Sequence, residues 1–376
     1  MSRLRPFAWP LAVLILSTVV YFVRIQKEMV DFKVYRTAAA RAVSGEPLYR
    51  ESDGHYQFKY LPAFAFAMAP FAWLDEEAAK VVWFAMSVGL LSALVRWSVR
   101  ALPERRKSER ALVWLAILLM GKFYAHELNL GQTNILLGTV LVGALLAAQV
   151  DARAAAGALV AIGIFIKVYA VVLVPWLAVV AGISGLAVCG GVLTLGLVLP
   201  ALVYGWTGNL NQIADWYKTI TETSAPNLMV PENISFATMW AKWIGPGVTA
   251  ERLAALTGFA AIVLAVWVMR RRRPIFDPSY LEFGLLMLLV PVLSPQGWDY
   301  VLLLATPAIL CLVDRLPDMS RPWRIGTMAA LAVMSFTIWD LLGRTLYTRL
   351  MLLSVISVAV LALAASLGYL RWRELA

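Results

Sequence analysis

What most limits this chain is the recurrence of apolar runs approaching twenty residues, separated by short polar or basic connections. A run of about 20 apolar residues carries an α-helix across the hydrocarbon core of a bilayer, and in lipid only helices and closed barrels satisfy their own backbone. Runs at 7–25, 78–99, 111–127, 131–149, 154–169, 170–182, 184–204, 251–269, 279–293, 299–313, 324–342 and 346–370 predict an all-α polytopic membrane protein of about twelve spans. Of the 376 residues 61% are hydrophobic, well above the level of soluble domains, so 1–376 is read as one transmembrane domain. The pieces between 154 and 182 are short for single crossings and are expected as a broken or re-entrant pair. Such backbone survives only where protein or a water-filled cavity surrounds it. The segment "LPAFAFAMAPFAWL", with its two prolines, suits a re-entrant or interfacial piece. Arg3 and Arg5 precede a stretch long enough to span, with no small-residue cleavage pattern, so an uncleaved first span is expected.

Basic connections set the orientation. "RALPERRKSER", "DAR", "RRRRP", "DRLPDMSRPWR" and "RWRELA" all fall on one side of a twelve-span layout, which the positive-inside rule makes cytoplasmic. The formal charge of +10 is thereby a topological signal, and no nucleic-acid partner is implied. Cys189 and Cys311 are far apart within apolar segments, and with only two histidines no metal site or cofactor is expected. The opposite, extracytoplasmic face gathers the unusual polar residues: a first loop at 26–60, "HELNLGQTN", Lys167, a long loop at 205–250, "SPQGWDY" and "WDLLGRTLYTR".

The first loop breaks the charge rule, since Lys33, Arg36, Arg41, Arg50 and Lys59 lie on the unfavourable side. Charge kept there points to an anionic ligand. Asp31 opens a helical pattern in which Tyr35, Ala38 and Ala42 share one face and Lys33 and Arg36 another, ending at Gly45-Glu46-Pro47. It reads as an amphipathic interfacial helix, its apolar face on lipid or on the bundle. Asp31 itself reads two ways, as a helix N-cap or as a functional carboxylate. The cap does not account for the cations around it. One carboxylate and several cations are what an inverting transfer from a lipid-linked phosphate sugar needs. The carboxylate takes the acceptor proton, and the cations meet the charge on the departing phosphate.

"DFKVYRTAAARAVSGEPLY" followed by "FKYLPAFAFAMAP" resembles the opening of the glycosyltransferase family 87 proteins. These are polytopic GT-C enzymes that include polyprenol-phosphate-mannose-dependent mannosyltransferases and arabinofuranosyltransferase relatives. The matching residues are Asp31, Tyr35, Gly45, Pro47, Tyr49, Phe58, Tyr60 and Pro62, with "GQTN", "KVYAVVLVP", "NIS" and "SPQGW" following in family order. The resemblance implies a GT-C fold with an interfacial helix in the first extracytoplasmic loop, and Asp31 as general base. It makes Lys167 a candidate for the donor phosphate, which Lys33, Arg36 and Lys59 would join. Many relatives read Ser-Pro-x-x-Trp-x-His in the late motif, and here Tyr300 stands in place of that histidine. Its task falls to Tyr300, to His126 or to nothing.

Tyr35, Tyr60, His126, Glu127, Gln132, Asn134, Asn233, Gln296, Trp298, Asp299 and Tyr300 are the candidate substrate-binding residues. Several have plainer readings. Gln132 and Asn134 serve equally as inter-helix hydrogen-bond glue, and the tryptophans as an interfacial belt. A lysine inside an apolar span is by default a functional candidate, so Lys167 is favoured over a snorkelling role. The expected activity is transfer of mannose or a pentose such as arabinofuranose from a polyprenyl-phosphate donor. The acceptor is a lipid- or glycan-linked hydroxyl on the outer face of the cytoplasmic membrane, and the enzyme works as a monomer. A lipid-linked glycan ligase or polymerase, or a transporter or flippase, is the alternative. The last should show internal repeats and midplane polar groups, and neither is visible.

Overall fold

In the computed structural model, residues 18–270 and 278–373 are described. The first expected span lies largely outside them, as does most of the arginine-rich connection at 270–274. The described chain is helical throughout and forms no strand, only an isolated bridge between Asn233 and Trp298. After α1 (Val30–Val43) and two short helices, Pro62–Ala67 and Ala69–Ala72, come α2 (Glu76–Ala101), α3 (Glu109–Leu130), α4 (Asn134–Gln149) and α5 (Arg153–Ile166). Then follow α6 (Val174–Val198), α7 (Ala201–Glu222), α8 (Phe236–Ile244), α9 (Val248–Arg270) and α10 (Pro278–Leu293). The chain closes with α11 (Thr306–Arg315), α12 (Arg321–Phe336), α13 (Trp339–Leu352) and α14 (Val355–Arg373).

Among the described residues six helical stretches are long and apolar enough to cross a membrane, or seven if α12 and α13, bent by 101°, make one span. The sequence layout anticipated about twelve. The difference lies mainly in α4, α5 and α10, apolar helices of 10–17 residues that fall short of a full crossing by themselves. At the centre, α10 is buried along nearly its whole length, and the stretch from Asp299 through α11 is buried likewise. Helices apolar on every side belong in such a position.

Two breaks shape the middle of the chain. At Lys167 the backbone turns extended between α5 and a 3₁₀ segment, Val168–Leu173, and at Gly182 (φ +62°) α6 bends sharply. Gly157 lies directly against the backbone of Gly185, and Gly196 against the ring of Phe165. These pairings ascend together, so α5 and the second half of α6 run parallel, and the segment between them reverses direction. The break expected between 154 and 182 is therefore present, and it presents Lys167 at a helix end.

Helix α1 buries Phe32, Tyr35, Ala38, Ala39 and Ala42. Phe32 stacks on Trp83 of α2 at 5.3 Å, and Tyr35 meets Phe64 edge-on at 5.8 Å. Its apolar face thus rests on the protein bundle, which holds the first loop against α2 and α3.

Candidate functional site

The site is assembled where α1 meets the α3–α4 turn. Helix α3 ends at Gly131, whose left-handed backbone (φ +67°) reverses the chain. A Cβ there would come within 2.9 Å of the Phe32 Cβ, so the absence of a side chain lets the "GQTN" turn sit directly on α1. Trp83 Nε1 donates to the Gly131 carbonyl at 3.0 Å and fixes the turn from the other side.

This contact sets aside the N-cap reading of Asp31. The N-cap position of α1 is Met29, in left-handed conformation, with its N–H donating to the Asn129 carbonyl at 3.0 Å. Asp31 lies inside the first turn and makes no capping bond. Its carboxylate instead accepts a hydrogen bond from the Gln132 amide and lies within electrostatic reach of Lys167, Lys59 and His55. Burial pushes the Asp31 carboxyl above its ordinary pKa. Lys167, the hydrogen bond from Gln132, Lys59 and His55 oppose that rise without cancelling it. Burial likewise lowers the Lys59 ammonium; Asp31 raises it and Lys167 lowers it further.

Gln132 is the hub. Its Oε1 accepts from Tyr35 Oη at 2.8 Å, Tyr60 Oη at 3.2 Å and Lys167 Nζ at 3.2 Å. The two tyrosine hydroxyls are themselves 2.8 Å apart, and Lys167 Nζ lies 5.3 Å from the Tyr60 ring centre. A carboxylate, an amide, two phenols and a lysine from four distant segments therefore form one continuous polar network.

The remaining candidates divide. Glu127 is fully buried and accepts from the backbone N–H groups of Asn134 and Ile135 and from Asn134 Nδ2 at 2.9 Å. It caps the N-terminus of α4, and Tyr169 Oη donates to Asn134 Oδ1. Asn233 is also internally satisfied, its Nδ2 donating to Asn227 O at 3.0 Å and Pro295 O at 3.2 Å. Gln296 ties the late loop to Ser224 at the end of α7 at 3.1 Å. Trp298 and Tyr300 stack with ring centres 6.4 Å apart, and His126 meets Tyr300 edge-on at 5.0 Å. The only imidazole of the late-motif region thus stands beside the position where relatives carry histidine. His126 Nδ1 is 3.7 Å from the buried Asp299 carboxylate.

The first-loop cations are mostly engaged elsewhere. Lys33 pairs with Glu76 at 3.5 Å, Arg36 donates to the carbonyls of Phe71 and Leu74, and Arg41 forks onto Asp53 at 2.5 and 2.9 Å. Arg50 pairs with Glu46 at 2.5 Å. Of the loop's lysines and arginines, Lys59 is the one that stands with Lys167 within electrostatic reach of Asp31. Among the described residues no three His, Cys, Asp or Glu side chains are grouped as metal ligands would be.

Sequence reading passed over Tyr169, Thr133, His55 and Lys122. Tyr169 and Thr133 sit inside motifs already singled out, beside the residues that were chosen. Lys122 lies in an apolar run as Lys167 does and is four residues from His126, which places both on one face of α3.

Comparison with protein families gives a match over the middle of the chain. The model of glycosyltransferase family 87 matches residues 58–295, well over half the chain, taking in Lys59, Tyr60, Gln132, Lys167 and Asn233. Asp31 precedes the matched segment, and Asp299 and Tyr300 follow it. No curated protein matches the chain. With apolar helices able to span a membrane and a family match of this extent, the chain belongs to glycosyltransferase family 87, a family of membrane glycosyltransferases.

Proposed function

We propose that this protein transfers a sugar, mannose or a pentose such as arabinofuranose, from a polyprenyl-phosphate donor to a lipid- or glycan-linked hydroxyl. The reaction takes place on the extracytoplasmic face of the cytoplasmic membrane and inverts the anomeric centre. The observation that carries this reading is the meeting of one raised-pKa carboxylate, Asp31, with two lysines, Lys59 and Lys167. A carboxylate with raised proton affinity is a stronger base than an ordinary one, which suits removal of a hydroxyl proton at neutral pH.

In the step proposed, the acceptor oxygen attacks the anomeric carbon as its proton passes to Asp31. The bond from that carbon to the phosphate oxygen breaks, and the electron pair leaves with the polyprenyl phosphate. A phosphate needs no protonation to depart, so a second carboxylic acid is unnecessary. The extra charge on the departing oxygen is met by Lys167, held in place by Gln132 and Tyr60, and by Lys59. Lys33 and Arg36, engaged with Glu76 and with backbone carbonyls, support the loop rather than the phosphate.

The test is a purified, nanodisc-embedded enzyme offered radiolabelled polyprenyl-monophosphate and polyprenyl-diphosphate sugars, wild type against Asp31→Asn. Transfer from the monophosphate donor that the variant loses supports the reading. Transfer only from diphosphate donors favours a ligase or polymerase, and sugar exchange without a glycosidic product favours transport.

A further inference from the structure

Asp299 is a buried carboxylate at the start of the late motif's 3₁₀ turn. The residue is 5% exposed, and its Oδ1 is buried without a hydrogen-bond partner among the described residues. His126 Nδ1 is 3.7 Å from it, beyond hydrogen-bond range. Buried polar atoms in native proteins are almost always satisfied, and an unsatisfied charged oxygen is costly. An internal role for the carboxylate is not evident. The loop bearing it is already pinned by Ile234 N to Gly297 O at 2.7 Å, by Asp299 N to Glu232 O at 3.0 Å and by Gln296 to Ser224.

The surroundings favour one kind of partner. The His126 side chain is 41% exposed, so the imidazole is open to solvent beside the buried carboxylate. Lys122, on the same face of α3, lies within electrostatic reach of Asp299 while its Nζ donates to Thr337 O at 2.9 Å. An anionic group would be repelled by Asp299 at contact. A neutral hydroxyl suits both partners, since it can donate to the carboxylate while it meets the imidazole. The Trp298 ring, partly exposed and parallel to the buried Tyr300, adjoins the pair and offers an aromatic face on which a sugar ring can rest. Tyr300 also lies within electrostatic reach of Asp31, which links this pair to the reacting centre.

We propose that Asp299 and His126 bind a non-reacting hydroxyl of the glycosyl acceptor, a reading that rests on the glycosyltransferase function proposed above. The site then divides by charge. Lys59 and Lys167 receive the anionic donor around Asp31, and Asp299 with His126 receives the neutral, polyhydroxylated acceptor beyond Tyr300. By holding that hydroxyl, the pair sets which other hydroxyl of the acceptor faces Asp31.

The test separates acceptor from donor. Full-length wild type, His126→Phe, His126→Gln and Asp299→Asn are assayed in nanodiscs with the radiolabelled polyprenyl-phosphate sugar that wild type uses. A serially diluted envelope fraction from a strain deleted for this gene supplies the acceptor. His126→Phe and Asp299→Asn are expected to raise the half-saturating amount of envelope about tenfold while moving donor half-saturation less than twofold, and His126→Gln to recover part of the loss. An equal rise for donor and acceptor, or no rise in either, overturns the assignment and leaves the glycosyltransferase reading standing. Should Asp299→Asn fold poorly, His126→Phe at its half-exposed position decides alone. A wild type inert with every polyprenyl-monophosphate sugar overturns both together.

Discussion

Replacing Asp31 by asparagine is expected to move activity and stability in opposite directions. Loss of a general base costs about 10²–10⁴ in rate, or about 2.7–5.5 kcal/mol of barrier. Stability should change the other way because the folded protein raises the Asp31 pKa, burial outweighing Lys167, Gln132, Lys59 and His55. A carboxyl that binds its proton more tightly folded than unfolded loses stability for the protein as pH rises. The loss begins near the unfolded value of about 3.9 and is complete above the raised folded value. At neutral pH the whole cost is present in wild type, and the neutral amide of the variant does not carry it. Asp31→Asn should therefore melt higher than wild type at pH 7, and the gap should narrow as the pH falls through that window. Thermal unfolding of nanodisc-embedded protein across pH, paired with single-turnover transfer, reads both effects. Undiminished transfer would refute the base assignment. A lower melting temperature for the variant at neutral pH would show that the cations outweigh burial, refuting the electrostatic argument instead.

Lys167→Met keeps the side-chain length but removes the cation beside Gln132 and Tyr60, and should weaken donor use more than tenfold in kcat/KM while acceptor half-saturation stays unchanged. Glu127→Ala strips three hydrogen bonds from the start of α4 in a fully buried setting; about 3–5 kcal/mol of destabilisation is expected in thermal or denaturant unfolding. Gly131→Ala forces a left-handed residue into contact with Phe32 and Met29, so kinetic assay should show transfer falling with the seating of α1 even though no reacting group changes. Arg371→Met breaks the fully buried contact with Glu282 at 3.8 Å and should destabilise by about 3–5 kcal/mol, with kinetic constants of the surviving folded protein unaltered.

The parts of this molecule that sequence made legible share one physical property: their evidence is local. Apolar runs announce helices because the backbone in lipid has no alternative, and Lys167 announces itself because a lysine there needs a reason. The first loop's charges were legible as charges but not as partners. Whether Arg41 meets a phosphate or Asp53 depends on a 3₁₀ turn, Glu51–Tyr56, that brings Asp53 back to α1. The same limit applies to Glu127 and Asn134. Both are polar residues in a functional motif, and only the geometry of the α3–α4 turn reveals that they satisfy one another.

The histidine missing from the late motif shows what changes when linear position gives way to space. Tyr300 is a departure from the family pattern when the chain is read residue by residue. In the fold its ring lies against His126, which comes from α3 more than 170 positions earlier. An imidazole and a carboxylate, His126 and Asp299, are thereby placed side by side from unrelated segments. A task that relatives assign to one late-motif side chain can thus be divided here between a phenol at that position and an imidazole delivered from α3. Substituting Tyr300 alone should then leave part of the function in place, and restoring histidine at 300 should crowd His126 rather than improve on it. If Tyr300→His instead raised transfer severalfold over wild type in the nanodisc assay, the division of the task between the two residues would be wrong.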